Sequence, residues 1–272
     1  MPHQVQNLFD LSGRCALVTG AAQGLGRATC EALAAHGASL LLVDRNLEGA
    51  QNTAESLRRF GVPLQCARCD VSKPEEIEKL FQFLDDTLGK IDFLANIAGD
   101  GILAPPEDLK IQQLQEVLDN LVIGRFVMCQ YAGRRMLSQR RGSIMNIGSL
   151  ASSTALGRGH IAYSIAMGAV LQMTRELSTE WSSRGVRVNA VLPAQVINPG
   201  LEARMELDPG LRTRFLNGIP AGRLGMPSDI MGLAVLLASD ASSWITGACI
   251  PMDGGNMAMN AGGTPGHHRT TT

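Results

Sequence analysis

Residues 19–26 read Thr-Gly-Ala-Ala-Gln-Gly-Leu-Gly, and this stretch decides the fold class of the chain. It follows an apolar run at residues 15–19 and opens a helical pattern at residues 24–36, so it forms a turn from a strand into a helix. Glycines at positions 20, 24 and 26 let the backbone approach a phosphate closely, and the free N–H groups at the helix start bind its charge. The stretch therefore predicts the phosphate-binding turn of a dinucleotide-binding fold.

An acidic residue closes the second predicted strand. Asp44 follows the apolar run at residues 39–43 and stands 18 residues after Gly26, where a dinucleotide-binding fold places a carboxylate on the adenosine ribose. A carboxylate accepts hydrogen bonds from ribose hydroxyls but repels a 2′-phosphate, and Gln23 adds no positive charge to the turn. The sequence therefore predicts NAD as the cofactor. NADP is the less favoured alternative, because Arg45 offers a charge that a 2′-phosphate would bind.

The rest of the chain alternates short apolar runs with longer helical patterns. The predicted strands cover residues 15–19, 39–43, 64–69, 91–95, 143–147, 186–191 and 248–252. The predicted helices cover residues 24–36, 47–60, 73–88, 111–138, 162–183 and 228–238. Seven strands joined by six crossovers predict an α/β fold: a single doubly wound Rossmann domain with a seven-stranded parallel sheet flanked by helices. We place this domain at residues 1–258 and expect a mobile tail at residues 259–272, which are poor in apolar side chains.

Composition excludes several classes of function. The 272 residues are 45% hydrophobic, 18% charged and 4% aromatic, with a formal net charge of −1. Such a chain lacks the basic stripe or the aromatic platform of a nucleic-acid-binding protein. The longest apolar stretch, at residues 230–238, is shorter than the roughly 18–20 residues that span a bilayer. Residues 1–7 have neither the basic start nor the apolar run of a secretory signal, so we expect a cytoplasmic protein without membrane contact.

The cysteines do not predict a metal site. The six cysteines are scattered along the chain, and only Cys66 and Cys69 form a C-x-x-C pair. No second cysteine pair or histidine pair completes a zinc site, and the pair falls on a predicted strand. We therefore expect free thiols and no bound metal.

Further segments follow the glycine turn in a fixed order. They are Asp-Val at 70–71, Asn-Ile-Ala-Gly at 96–99, Asn-Ile-Gly-Ser at 146–149, Ala-Tyr-Ser at 162–164 and Met-Asp-Gly-Gly at 252–255. Together with the T-G-x-x-x-G-x-G turn, they resemble the short-chain dehydrogenase/reductase family over about residues 8–256. The cofactor-binding residues that the resemblance implies are Gly20, Gln23, Gly24, Leu25, Gly26, Asp44, Asp70, Val71, Asn96, Ala98, Gly99, Tyr163, Met167, Pro193, Val196 and Asn198.

The resemblance also implies an activity, namely hydride transfer between a nicotinamide and a secondary alcohol or ketone, such as a sugar or polyol. Tyr163 would move the proton of the substrate oxygen, and Ser149 would hydrogen-bond that oxygen. Residues 199–220 resemble the variable lid that covers the substrate in this family. The resemblance further implies a homo-oligomer, a tetramer or dimer. This agrees with an apolar surplus on the helix at 111–138, formed by Leu114, Val117, Leu118, Leu121 and Val122.

Met167 departs from the family pattern. It stands four residues after Tyr163, where the Y-x-x-x-K motif of the family has lysine. A cation about 4 Å from a phenolate stabilises it by roughly 4 kcal/mol at an effective dielectric constant of about 20, and a thioether supplies no charge. Two alternatives to a working dehydrogenase therefore stay open. One is a catalytically impaired NAD-binding relative, and the other is a non-redox enzyme that uses Tyr163 for proton transfer.

Asn120 is a second departure. The family commonly has an asparagine three residues before a glycine in this helix, but Leu121 stands three residues before Gly124. One residue rotates a helical side chain by about 100°. Asn120 therefore completes a proton relay with Tyr163 and Ser149 only if the helix carries a bulge. Without one, Asn120 is an ordinary polar position and the relay is broken.

Overall fold

Seven parallel strands form one sheet in the computed structural model, which describes residues 8–259, 263, 265 and 266. The strand order is β3-β2-β1-β4-β5-β6-β7. The strands are β1 (Cys15–Thr19), β2 (Ser39–Asp44), β3 (Leu64–Arg68), β4 (Phe93–Asn96), β5 (Gly142–Ile147), β6 (Val186–Pro193) and β7 (Cys249–Met252). The predicted fold class, a doubly wound parallel sheet flanked by helices, is confirmed.

Nine α-helices lie in the described part of the chain. They are α1 (Gly24–Ala35), α2 (Leu47–Leu57), α3 (Pro74–Thr87), α4 (Ile111–Leu118), α5 (Gly124–Gln139), α6 (Ile161–Trp181), α7 (Pro199–Leu207), α8 (Leu211–Leu216) and α9 (Met231–Ala238). The predicted crossover helices are present, but the one expected at residues 111–138 is interrupted. A π-helical turn at Asp119–Ile123 joins α4 to α5.

Alternate residues of each strand pack on opposite faces of the sheet, as the two-residue period of a strand requires. In β1, Ala16 and Val18 belong to an apolar cluster with α1, α2 and α9, whereas Leu17 belongs to a cluster with α3 and α5. All five residues of β1 are buried. A strand covered on both faces explains why the sequence shows continuous apolar runs instead of alternation.

The chain adds β2 and β3 on one side of β1 and then adds β4 to β7 on the other side. Strand β1 pairs with β2 on one side and with β4 on the other, so the loops that follow β1 and β4 diverge from a common point and leave a crevice there. Thr19 ties the two loops together, because its Oγ1 accepts hydrogen bonds from the N–H groups of Ile97 (3.0 Å) and Ala98 (3.1 Å). The fold therefore places a crevice beside the glycine turn.

The apolar residues of α4 and the π turn pack inside the subunit. Val117 and Leu121 are buried, and Leu114, Leu118 and Val122 are partly buried in one cluster with Ala162, Ala166, Met167 and Val170 of α6. The surplus that the sequence suggested is therefore covered by a helix of the same chain. The expectation of an oligomer cannot rest on these five residues, because a periodic pattern does not say which element covers it.

The segment expected to form a lid contains α7 and α8. Their apolar residues form a separate cluster at the edge of the domain, composed of Leu201, Leu211, Phe215, Ile219 and Leu224. Of the expected mobile tail, residues 260–262, 264 and 267–272 lie outside the described residues, as does the N-terminal stretch 1–7. Of the described tail residues, Pro265 is buried, whereas Gly263 and Gly266 are exposed. The mobile tail stays a prediction.

Two observations concern membrane-spanning helices and metal sites. Over residues 8–259, 263, 265 and 266, no helix has the length and the apolar character needed to cross a membrane. Over the same residues, no three His, Cys, Asp or Glu side chains are placed together to hold a metal ion.

Candidate active site

The glycine turn brings the start of α1 against the end of β1. A Cβ atom at Gly26 would lie 1.9 Å from the carbonyl oxygen of Gly20, so only glycine permits this approach. The side chain of Gln23, the residue before α1, caps none of the described N–H groups, and the first helical turn has no acidic residue. The N–H groups of this turn can therefore bind an anion, which fits the pyrophosphate of a dinucleotide.

A cleft runs from this turn across the ends of β2, β3 and β4, and we refer to it as the nucleotide cleft. It measures about 340 Å³. Most of the residues that the resemblance implied for the cofactor line it, namely Gly20, Gln23, Gly24, Leu25, Gly26, Asp44, Asp70, Val71, Ala98, Gly99 and Asn198. The arrangement can hold an extended dinucleotide at the carboxyl ends of the strands.

The nucleotide cleft is continuous with a larger cavity of about 580 Å³, called the Tyr163 cavity below. The two share five lining residues, Leu25, Ile97, Gly99, Asp100 and Asn198. Pro193, the last residue of β6, and Val196, three residues later, were expected at the cofactor and line the Tyr163 cavity. A ligand in the cleft can therefore extend one end into the cavity.

Asp44 has a fixed orientation at the wall of the nucleotide cleft. Its Oδ2 accepts a hydrogen bond from the N–H of Ala22 (3.0 Å), and its Oδ1 accepts one from the N–H of Asn46 (2.9 Å). The neighbouring Arg45 forms an exposed ion pair with Asp100, with Nη2 2.7 Å from Oδ2. The carboxylate therefore faces the cleft, while the charge of Arg45 already has a partner.

Two residues expected at the cofactor lie behind the walls of both spaces. Asn96 is buried in the sheet, where its Nδ2 donates to Asn146 Oδ1 (3.0 Å) and so joins β4 to β5. Met167 is 1% exposed and packs in the apolar cluster between α4 and α6. Neither residue lines the cleft or the cavity, because the amide of Asn96 is used inside the sheet and the thioether of Met167 packs among apolar side chains. The cofactor contact that the resemblance implies for each of them stays a prediction.

Ser149 and Tyr163 line the same cavity. Ser149 directly follows the loop after β5 and is buried, and its Oγ accepts a hydrogen bond from the N–H of Ala151 (3.2 Å). Tyr163 lies in the first turn of α6, and its ring packs so closely on the loop after β4 that a Cβ at Gly101 would lie 2.8 Å from Cδ2. The fold therefore brings together two hydroxyl groups that are 14 positions apart in the sequence.

The π turn supplies the bulge on which the placement of Asn120 depended. The extra residue at Asp119–Ile123 turns Asn120 to the nucleotide cleft, which it lines. Its Oδ1 is buried and meets no hydrogen-bond donor among the described residues. A Cβ at Gly124 would lie 2.0 Å from the carbonyl oxygen of Val71, so this glycine lets the helix approach the loop after β3. Asn120 thus offers an unpartnered acceptor to a molecule in the cleft.

Sequence reasoning missed two residues of the Tyr163 cavity. Arg125, in the first turn of α5, is 4% exposed and lines the cavity. Gln195 lines it as well, and its Oε1 is buried without a donor among the described residues. Arg125 had a visible signal, because a charged residue stands in a helix pattern that is otherwise apolar at this position.

The outer wall of the Tyr163 cavity is basic. Arg158, His160 and Arg204 line it, together with Leu201 of α7 and Phe215 of α8. Burial, followed by the positive charges of Arg204 and Arg214, lowers the pKa of Arg158. The guanidinium of Arg158 lies 5.2 Å from the centre of the Phe215 ring, which packs against it. The positive charges of this wall can bind an anionic group.

Comparison with known proteins agrees with this geometry. A family model described as Enoyl-(Acyl carrier protein) reductase matches residues 20–257. The chain is 38% identical to the D-threitol dehydrogenase of Mycolicibacterium smegmatis over 91% of this chain and 94% of the relative. It is 34% identical to the NAD-dependent glycerol dehydrogenase of Listeria innocua over 91% of this chain and 95% of the relative.

Solved structures show the same relationship. A short-chain type dehydrogenase/reductase from Mycobacterium marinum superposes with a TM-score of 0.85 at 30% identity, covering 93% of this chain and 98% of that one. A gluconate 5-dehydrogenase from Burkholderia cenocepacia, in complex with NADP and tartrate, superposes with a TM-score of 0.88 at 28% identity, covering 94% and 100%. The glycine turn, the cleft beside it and these matches together show that the chain belongs to the short-chain dehydrogenase/reductase family of NAD(P)-dependent oxidoreductases.

Proposed function

We propose that this protein is an NAD-dependent dehydrogenase that interconverts a secondary alcohol of a polyol or sugar with the corresponding ketone. The observation that carries the proposal is the placement of Ser149 and Tyr163 in one cavity that is continuous with the nucleotide cleft. The similarity to D-threitol and glycerol dehydrogenases supports a small polyhydroxylated substrate. A cavity of about 580 Å³ with mixed polar and apolar walls accommodates a molecule of that size.

Each of the chain's own groups has a role in the proposed reaction. When NAD is bound, its nicotinamide supplies the acceptor or donor of hydride. The hydroxyl of Tyr163 gives a proton to the substrate oxygen in reduction and takes it in oxidation. Ser149 Oγ–H donates a hydrogen bond to the same oxygen, where negative charge develops in the transition state. Asn120 Oδ1, at the wall of the cleft, accepts from a donor on the bound cofactor or on a relay that reaches Tyr163.

NAD is proposed over NADP because of the charges at the mouth of the cleft. The carboxylate of Asp44 is held in place by two backbone N–H groups and would repel a 2′-phosphate. Arg45 is engaged by Asp100 and would have to leave that ion pair to bind a phosphate. Relatives with NADP bound occur in the family, so a direct measurement decides between the two cofactors.

A sugar acid is the second candidate substrate, favoured by the basic outer wall of the cavity. Arg158 and Arg204 line it, and neither forms an ion pair with a carboxylate of the described residues. A substrate carboxylate would lie between the two positive charges and offset part of the repulsion between them. We expect Arg204→Met to raise the KM for gluconate roughly tenfold while leaving the KM for neutral polyols within about twofold.

The proposal is tested with a substrate panel. D-threitol, glycerol, galactitol and gluconate are incubated with NAD and, separately, with NADP, while the absorbance of the reduced nicotinamide is followed. We expect NAD reduction with at least one of the polyols. Cofactor binding without turnover would favour an impaired relative, and consumption of substrate without a change in the nicotinamide would favour a non-redox enzyme. Either result would overturn the proposed dehydrogenase.

We also propose that the protein is a homo-oligomer, a tetramer or dimer. Four large apolar side chains are 38–46% exposed on adjoining helical segments: Ile123, Phe126, Ile161 and Ile165. The spacings of three and four residues place Ile123 beside Phe126, and Ile161 beside Ile165, on one face of each segment. A second copy of the chain would remove this apolar surface from water.

A further inference from the structure

Arg125 is an unusual residue for its surroundings. Its guanidinium is buried at the inner wall of the Tyr163 cavity, where Nη2 donates to the carbonyl oxygen of Ala98 (3.2 Å) and Nη1 donates to that of Ile147. The Nε–H meets no acceptor among the described residues. Ala98 lies in the loop after β4, and Ile147 is the last residue of β5. The fold therefore holds the guanidinium between the nucleotide cleft and the loop that carries Ser149.

Arg125 has no carboxylate partner in the described chain, although buried cations are nearly always paired. Burial lowers the pKa of its guanidinium to about 10, so the group stays protonated at neutral pH. Tyr163 lines the same cavity as Arg125, and Cys129 lies one helical turn further along α5. Burial raises the pKa of the Cys129 thiol to about 12, which leaves that thiol neutral over the working range. Arg125 and Tyr163 therefore line one cavity, in which the carboxylate of Asp100 is already paired with Arg45.

We propose that Arg125 is a positioning residue for proton transfer: from α5, it supplies the positive charge beside Tyr163 that Met167 does not supply from α6. The inference rests on the proposed role of Tyr163 as the acid–base group. A positive charge favours the phenolate over the neutral phenol, because the interaction between the two charges is mutual and weakly screened in a buried site. The chain thus keeps a cation at its active site while the lysine position has become part of the apolar core.

Other charged groups also face Tyr163. His160, the residue before α6, has its ring centroid 6.3 Å from that of Tyr163. Asp100 from the loop after β4, Arg158 from the loop before α6, and Arg204 from α7 line the same cavity. These four groups are at least partly exposed, so solvent and salt screen them. Arg125 is the buried cation of the set, and its effect should be the least sensitive to ionic strength.

The sign of the effect is set by which form of Tyr163 each direction uses. Oxidation of an alcohol needs the phenolate, and reduction of a ketone needs the neutral phenol. Loss of the cation moves the ionisation of Tyr163 to higher pH. The rate of alcohol oxidation at neutral pH should therefore fall by about tenfold for each pH unit by which the ionisation of Tyr163 rises. The rate of ketone reduction near pH 7 should persist.

The first test needs no ligand. The chain contains two tyrosines, so the phenolate absorbance of the ligand-free protein, minus that of Tyr163→Phe, isolates Tyr163. We expect Arg125→Met to raise the midpoint of this titration by at least about one pH unit. Arg125→Lys should retain most of the wild-type midpoint. Arg134→Met is the matched control, since it removes an exposed arginine from the same helix, and it should leave the Tyr163 midpoint in place.

The second test moves the cation back to the family position. The double variant Arg125→Met with Met167→Lys should return the Tyr163 midpoint, and the pH profile of NAD reduction with the polyol that the panel identifies, towards wild type. In the wild-type background, Met167→Lys should shift the Tyr163 midpoint and the pH profile less than the same substitution does in the Arg125→Met background. The reason is that Arg125 and a lysine at position 167 would repel each other. If Arg125→Met fails to fold, as judged by circular dichroism, Arg125→Gln takes its place, because glutamine has no charge but its amide can still donate a hydrogen bond to a carbonyl oxygen.

Three outcomes would overturn the inference. One is an unchanged Tyr163 midpoint in a folded Arg125→Met or, if that variant does not fold, in Arg125→Gln. Another is an equal loss of both reaction directions with no displacement along the pH axis, which indicates a structural role. The third is a rise in substrate KM alone, which makes Arg125 a substrate ligand. Failure of the proposed function is recognised separately, since activity that survives Tyr163→Phe would remove the acid–base role whatever Arg125 does.

Discussion

The carboxylate of Asp44 accepts a 3.0 Å hydrogen bond from the backbone N–H of Ala22, so the end of β2 is fastened to the glycine turn. The acid that would contact the adenosine ribose and the turn that would contact the pyrophosphate are thus held as one unit. A second hydrogen bond, from the N–H of Asn46, fixes the other oxygen. The negative charge at this wall of the cleft is therefore held in a fixed position.

We expect NADH to bind more tightly than NADPH, and Asp44→Ala to narrow the difference, because the substitution removes the repulsion of a 2′-phosphate. Fluorescence titration of the wild type and the variant with both cofactors measures this. Arg45→Ala is the matched control; it should not increase NADPH affinity. Preference of the wild type for NADPH would show that Arg45 outweighs the carboxylate.

We expect Tyr163→Phe to abolish activity in both directions, because phenylalanine can neither give nor take the substrate proton. The matched control is Tyr131→Phe, which keeps the stack on Phe81 at a centroid distance of 5.5 Å and leaves the cavity untouched. Steady-state rates of both variants, with thermal unfolding to show that each is folded, provide the measurement. Full activity of Tyr163→Phe would assign the proton to another group.

Asn120→Ala should lower the turnover number by about tenfold to a hundredfold with little change in NADH affinity, because it removes the buried acceptor at the cleft wall. Gln115→Ala, on the exposed side of α4, is the control and should retain wild-type turnover. A turnover number within twofold of wild type for Asn120→Ala would make Asn120 an ordinary polar position.

Gly124→Ala tests the close approach of α5 to the loop after β3. The added methyl group would lie 2.0 Å from the carbonyl oxygen of Val71, and such overpacking costs about 1–3 kcal/mol of unfolding free energy. Gly232→Ala has no atom within 4 Å of the added methyl group and should be neutral or stabilising by up to about 1 kcal/mol. Denaturant unfolding compares the two, and equal stability would remove the packing argument.

Sedimentation should give a mass above that of the 29.0 kDa chain at micromolar concentration. We expect Phe126→Glu to shift the protein towards the monomer, because it places a charge on the exposed apolar face of α5. Leu207→Glu, at an exposed site on the lid, is the control and should keep the wild-type mass. A monomeric wild type would remove the proposed assembly.

Local patterns were sufficient to predict the fold and the glycine turn. Continuous apolar runs such as Cys15–Thr19 predict buried parallel strands, since both faces of such a strand are covered. The glycine spacing and the position of Asp44 are read within a single strand–turn–helix unit, where short-range geometry decides the outcome. These features can be predicted without knowing which elements pack against them.

The tertiary structure alone decided the direction of Asn120, the burial of Met167 and the position of Arg125. Whether a helix contains a π turn depends on its packing along its whole length, here against Val71 and α6, and a sequence window does not contain those neighbours. The missing lysine is visible in the sequence as one absent charge. Only the tertiary structure shows that α5 places a cation, Arg125, at the cavity that Tyr163 of α6 also lines. The sequence cannot show this, because electrostatic effects depend on distance in space and not on distance along the chain.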